Sequence, residues 1–420
     1  MPGIDSVTYD LKGKQVFLAG ERVQGTWFVS VSSAVKVNFI TTHMIGATYV
    51  EWRESNASRK DFEDDKFKAH ELYTKQVTSH FSKGNGPCLE LLPGNYKYPF
   101  NCVIPNDKVH SSFEGTHGAT RWFIRIEIGL PMPHFNIVKH VCFTYLAKVD
   151  IDIPLYAKPV VRSQERKLSK AFGIGDAGVV KITASIERSG YCPGECALLT
   201  LDVINETTKD LGQPAALVMQ EVEYKGNGER KIVKECIRSV TGSKLEKGKQ
   251  QKWMKQKIVI DVVPPTSALR SCYCIKCTYY IQVKVPLPFY NGEDIKLTLP
   301  ITIGTIPQNY KKSQAQQNPP SYDSLNIPVT DLSNSITYTT QRKSSSRFQY
   351  SSKSLDFPDI TYTPLNAYVV EYKPNAAAAP PRLSTDTKTA QGDRPRPTAP
   401  PLPESEGKQG AVSCPAKEKS

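Results

Sequence analysis

No histidine follows His140 and no tryptophan follows Trp253, and the 420-residue chain holds only seven histidines, four tryptophans and five methionines. The histidines show no HExxH or other metal-ligand spacing. Neither a G-x-S-x-G elbow nor a P-loop is present, and no spacing makes a pair of the abundant acids. The sequence therefore offers no catalytic constellation, and an enzyme is not expected. His117, in EGTHGAT, reads as a turn or core-edge residue rather than a base. No run of 18 apolar residues occurs, which argues against a membrane-spanning helix. MPGIDSVTYD has no apolar signal core and no glycine directly after Met, so neither secretion nor N-myristoylation is expected. The expectation is a cytoplasmic protein, peripheral at membranes, with its ten cysteines reduced.

Cys274-x-x-Cys277 and Cys192-x-x-x-Cys196 are the one metal-like pattern. The alternation in SCYCIKCTYYIQVKV argues against it. Tyr273, Ile275, Cys277, Tyr279, Ile281, Val283 and Val285 fall on one face of a strand, and Cys272, Cys274 and Lys276 on the other. No metal or cofactor is expected. The net charge of +13 is spread along the chain without a dense basic run interleaved with aromatics, so nucleic acid is not an expected partner. Acidic membrane surfaces and acidic protein tails remain compatible with it.

What is present is period-2 patterning. RIEIG, KVDIDIP and KITASIE each place apolar residues on one face, separated elsewhere by Gly, Pro and Asn clusters. The class is all-β, and strands this short and numerous favour sandwiches. The turns Ala19-Gly20-Glu21 and Pro193-Gly194-Glu195, 174 residues apart, each precede an alternating strand and suggest two copies of one fold. We expect a first sandwich over 1–157, a charged connection over 158–174 and a second sandwich over 175–307. From 308 to 420 there are 14 prolines and 15 serines in 113 residues. Such a segment buries too little apolar surface to offset its ordering entropy, and we expect a disordered tail.

Three stretches, SSFEGTHGATRWFIR (111–125), ERSGYCPGE (187–195) and LTLPITIGTIP (297–307), resemble the arrestin-domain-containing proteins, the α-arrestins. The likeness covers most of 1–307. It implies two β-sandwiches joined by a short hinge, and a trafficking adaptor that brings a HECT-type ubiquitin ligase to membrane-protein cargo such as receptors or transporters. The visual and β-arrestin subgroup matches less well, because its buried charged core is not discernible in this sequence.

The tail carries the motifs that fit this role. Pro319-Pro320-Ser321-Tyr322 matches PPxY, the pattern gripped by WW domains. Adjacent prolines hold a polyproline II shape before docking, and the tyrosine adds an apolar body with a hydroxyl handle. Twelve flexible residues from Pro307 reach roughly 20 Å, which keeps a bound ligase near cargo. Tyr322 with Leu325, and Tyr362 with Leu365, also fit the YxxΦ sorting signal read by clathrin adaptors. Pro397-Thr398-Ala399-Pro400 matches the PTAP element bound by ESCRT-I, and Arg394 with Pro397 and Pro400 alternatively reads as an SH3 ligand. Lys311, Lys312, Lys343 and Lys353 lie near these motifs as ubiquitin acceptors or as solubilising charge. The competing function is a ligase-independent sorting or receptor-signalling scaffold that binds acidic receptor tails through the basic body.

Overall fold

The computed structural model describes residues 3–55, 64–106, 109–169, 175–267, 272–288, 292–308, 336–340, 357–358 and 362–369. All regular structure in them is β-strand. The first sandwich sets a three-stranded sheet against a six-stranded one. The former is ordered β1 (Ile4–Asp10), β3 (Arg22–Val31), β8 (Gly94–Val103). The latter runs β2 (Val16–Leu18), β11 (Ile137–Leu146), β10 (Gly118–Gly129), β5 (Phe39–Glu54), β6 (Asp65–Ser82), with β9 (Phe113–Glu114) also on β10. A small ladder joins β4 (Val35–Val37) to β7 (Leu89–Leu91). Between the sheets lie Trp27, Phe100, Trp122, Ile124, Phe143 and Tyr145. Trp122 and Tyr145 sit 4.6 Å apart by ring centroid.

The second sandwich pairs a four-stranded sheet with a five-stranded one. The first is β12 (Val160–Ser169), β13 (Asp176–Ile186), β15 (Cys196–Thr207), β18 (Gln250–Val259). The second is β14 (Gly190–Tyr191), β20 (Ile295–Ile303), β19 (Ile275–Val285), β16 (Ala215–Gly226), β17 (Glu229–Thr241). Strict alternation dictates its core: in β13 Val180, Ile182, Ala184 and Ile186 are buried, and in β15 Ala197, Leu199, Leu201 and Val203.

The repeated turn is built twice in the same way. Gly20 and Gly194 both adopt positive φ, 80° and 94°, which glycine tolerates without steric cost. In each copy the glutamate side chain accepts the backbone N–H three residues back: Leu18 to Glu21 at 2.7 Å, Cys192 to Glu195 at 2.6 Å. In each, a cation pairs with that glutamate and covers the neighbouring ring, Lys14 over Phe17 and Arg188 over Tyr191. The duplication is thus one of hydrogen-bond geometry as well as of letters.

Two expectations need correction. The charged stretch 158–170 is not merely a connection, because 160–169 forms the edge strand β12. An edge strand needs backbone pairing on one side only and carries charge on its open face, so its sequence lacks an apolar pattern. Regular pairing in β19 starts at Ile275, so Tyr273 is 70 % exposed while Cys274 is buried, the reverse of the extrapolated alternation. Within the proline- and serine-rich region after 307, the described residues add β21 (Ile336–Thr340) paired with β22 (Leu365–Val369), and Phe357 packs on the first sandwich.

Candidate functional site

Strand β10 is buried on both faces, which its partner sheet alone cannot explain. Trp122, Ile124, Ile126 and Ile128 fill the first sandwich, and the intervening Arg121 and Phe123 point away from it. Together with Ile45, Ala47 and Tyr49 of β5 and with Ala119, Phe123 forms a separate apolar patch on the outer face of the six-stranded sheet. Phe357 closes this patch and is only 2 % exposed. Its ring lies 5.8 Å from that of Tyr49.

Arg121 stands at the edge of the patch, itself 1 % exposed. Its Nε donates to Glu114 Oε1 at 2.6 Å and its Nη2 to Glu114 Oε2 at 3.0 Å, a bidentate pair. Nη1 donates to the carbonyl of Pro358, and the guanidinium lies 5.0 Å from the Phe357 ring centre. One arginine thus holds a β9 carboxylate, a backbone carbonyl of the C-terminal segment and that segment's aromatic ring. This buried charge pair is not discernible in the sequence, because it forms only when β9 and β10 are brought side by side.

The segment continues across β11. Thr144 Oγ1 lies 2.7 Å from the Tyr362 hydroxyl and accepts the Leu365 N–H at 3.0 Å. Burial raises the Tyr362 pKa above its ordinary value, so the phenol stays neutral. The Val369 N–H then donates to the Pro193 carbonyl at 2.8 Å, and Val369 packs with Ile151 and Cys192. The strap therefore runs from the outer face of the first sandwich to the repeated turn of the second. A cavity of about 40 Å3 sits beside it, lined by Glu114, Gln220, Tyr224, Glu235, Thr363 and Asn366 among others.

The body beneath is tied across its hinge. His110 Nδ1 bonds the Ser111 carbonyl at 2.7 Å, leaving Nε2 to face Ser267 Oγ at 2.8 Å. Burial lowers the His110 pKa, which fits a neutral ring in this position. Glu71 accepts the Tyr273 N–H at 2.9 Å, and Lys231 pairs with Glu54 at 3.1 Å. His117 is a turn residue, as expected, with its ring edge-on to Tyr224 at 5.5 Å.

Of the sequence-derived site residues, only Tyr362 and Leu365 fall on the strap, where the tyrosine hydroxyl is already engaged. In this arrangement the 362–365 sorting pattern is not free for a reader. Pro319, Pro320, Tyr322 and Leu325, Arg394, and 397–400 lie outside the described residues, as do Lys311, Lys312, Lys343 and Lys353. Among the described residues no group of three or more His, Cys, Asp or Glu is placed to hold a metal. No described helix is long and apolar enough to cross a membrane.

Comparison with known proteins decides the family. The arrestin (or S-antigen) N-terminal domain family matches residues 6–152, and the arrestin (or S-antigen) C-terminal domain family matches 176–308. The chain belongs to the arrestin family. Within it, this α-arrestin is 24 % identical to human arrestin domain-containing protein 4 over 306 residues, covering 72 % of this chain and 71 % of that protein. It is 27 % identical to the mouse protein of the same name over 225 residues, covering 53 % and 52 %. It is 25 % identical to pig thioredoxin-interacting protein over 323 residues, covering 76 % and 79 %. Membership of this arrestin branch implies a trafficking or adaptor role and binding to partner proteins.

Proposed function

We propose that this α-arrestin is a non-catalytic trafficking adaptor at the plasma membrane and endosomes. Its body holds membrane-protein cargo, and its C-terminal region recruits a WW-domain, HECT-type ubiquitin ligase through Pro319, Pro320 and Tyr322. The observation that carries the reading is the position of this PPxY, twelve residues beyond Pro307 and just past the matched C-terminal arrestin domain. Recruitment works by proximity: a tethered ligase meets cargo at high effective concentration without any new contact to the cargo. A second arm, Pro397 to Pro400, would connect the assembly to ESCRT-I.

Calorimetry of an isolated WW-domain array against the full chain tests the ligase arm. Wild type should bind, and Tyr322→Ala should show no measurable heat while melting at the same temperature. Equal binding by both proteins rules this arm out and leaves the ligase-independent scaffold. That scaffold would grip acidic tails in a strongly salt-dependent way, whereas WW docking is largely apolar.

A further inference from the structure

The spread of basic charge along the chain has one local exception, which the fold places at an edge of the second sandwich. Six of the fourteen residues from 244 to 257 are lysine, namely Lys244, Lys247, Lys249, Lys252, Lys255 and Lys257, against one acid, Glu246. All six are exposed. Among the described residues strand β18 pairs only with β15, and no described strand covers its other side. Lys244 pairs with Asp210 at 2.9 Å, and Lys252 approaches Asp202 at 3.7 Å. Lys247 donates its backbone N–H to the same Asp210 at 3.0 Å, and among the described residues Lys249, Lys255 and Lys257 make no salt bridge to a carboxylate. Met254, 75 % exposed, stands in the middle of this cluster.

The scaffold beneath is fixed. Leu245 is 3 % exposed and bonds Leu211 through its carbonyl, and the Lys249 carbonyl accepts the Asn205 N–H. Trp253 packs against the second core. The lysines are therefore displayed by an ordered strand and turn.

Lysines and a bulge are also how an open edge is kept from pairing with other chains, and Lys255, with φ of 51°, sits where the β15–β18 register slips. Edge protection does not account for two features. Lys244, Lys247 and Lys249 precede the strand, where there is no ladder to guard, and an exposed methionine adds apolar surface where protection would remove it.

We propose that this edge, with the turn before it, is a contact for an anionic lipid bilayer. The bulge breaks the straight edge that an added peptide strand would need. All six cations are lysine, whose point charge suits diffuse negative potential, whereas paired recognition of a carboxylate or phosphate group favours the arginine fork. Met254 supplies a side chain to enter the headgroup boundary beside them. The inference does not depend on the ligase reading.

The test is co-sedimentation of the full chain with vesicles of phosphatidylcholine alone, or containing about 30 % phosphatidylserine, at low and high salt. Binding should require phosphatidylserine and fall steeply as salt rises. Each lysine near such a surface contributes roughly fivefold in partitioning. Lys247→Gln, Lys249→Gln, Lys255→Gln and Lys257→Gln combined should therefore lower binding by at least tenfold. Lys12→Gln with Lys36→Gln, in the first sandwich, should leave it unchanged. Met254→Ser should weaken binding while preserving its salt dependence. Unchanged melting temperature certifies each variant as folded. Absence of phosphatidylserine-dependent binding, or equal binding by the fourfold variant, overturns the proposal. Capture of a poly-glutamate peptide without vesicle binding would also overturn it and reassign the edge to an acidic protein.

Discussion

Replacing Phe357 by alanine should loosen the strap without unfolding the body. The ring is 2 % exposed, closed between the Ile45–Ala47–Tyr49 patch and the Arg121 guanidinium. Burying a phenylalanine contributes about 2–3 kcal/mol, and a desolvated cation–π contact adds about 1 kcal/mol or more. The patch lies outside the main cores, so its exposed remnant can be rehydrated and no sealed cavity need persist. A loss of about 3 kcal/mol raises the opening constant of the strap roughly 150-fold. Hydrogen exchange reads this directly, since local opening sets the protection of each backbone N–H. The N–H groups of Leu365 and Val369, which donate to Thr144 and Pro193, should exchange about two orders of magnitude faster in Phe357→Ala. Those of β13 and β15 should not change. Unchanged exchange at 365–369, with the substitution confirmed by mass, would refute the claim that Phe357 anchors the segment.

Arg121→Met should cost about 3–5 kcal/mol in chemical denaturation, because it strands the buried Glu114 carboxylate; adding Glu114→Gln should recover part of that, and a strictly additive double variant would sink the pairing argument. Burial lowers the pKa values of His80, His110, His117 and His140, the last to about 4. The unfolded chain then binds more protons than the folded one below about pH 6.5, so stability should fall from pH 7 to pH 5 and stay flat above pH 7.5; equal urea midpoints at pH 7.5 and 5 would contradict this. Burial pushes the thiol pKa of Cys142 and Cys277 up to about 12 and that of Cys272 to about 11, whereas Cys236 is exposed. Within the described residues Cys236 should alkylate first at pH 8, and prior labelling of Cys277 in native protein would show the core to be open.

The sequence could reveal whatever is written in local period or in repeated turns. Val180, Ile182, Ala184 and Ile186 announce their strand, and the paired Gly-Glu turns announce the duplication, because both depend on neighbours in the chain. Features set by distant pairing were not legible. Strand β12 pairs all along β13, yet Arg162, Glu165, Arg166 and Lys167 hide that behind charge. Arg121 looks like one polar residue in an alternating strand until Glu114 and Pro358 close on it from two directions. The alternation of Leu365, Ala367 and Val369 was a usable signal for the strap, but it is brief and lies in a region whose average composition is proline- and serine-rich.

The strap also changes what the PPxY motif is attached to. Between the last residue of the matched C-terminal domain, Gln308, and Phe357, 48 residues include Pro319 to Tyr322, and the chain is anchored to the same body on both sides of them. A WW domain that binds there gains nothing from strap release unless its footprint reaches the strap. Phe357→Ala should therefore leave the affinity for an isolated WW domain unchanged, while altering any partner that needs the patch around Tyr49 and Phe123. Titration of wild type and Phe357→Ala with the same WW domain separates the two cases. A tighter complex with the variant would mean that docking and recruitment are linked, since a ligand shifts an equilibrium only by its differential affinity for the two states.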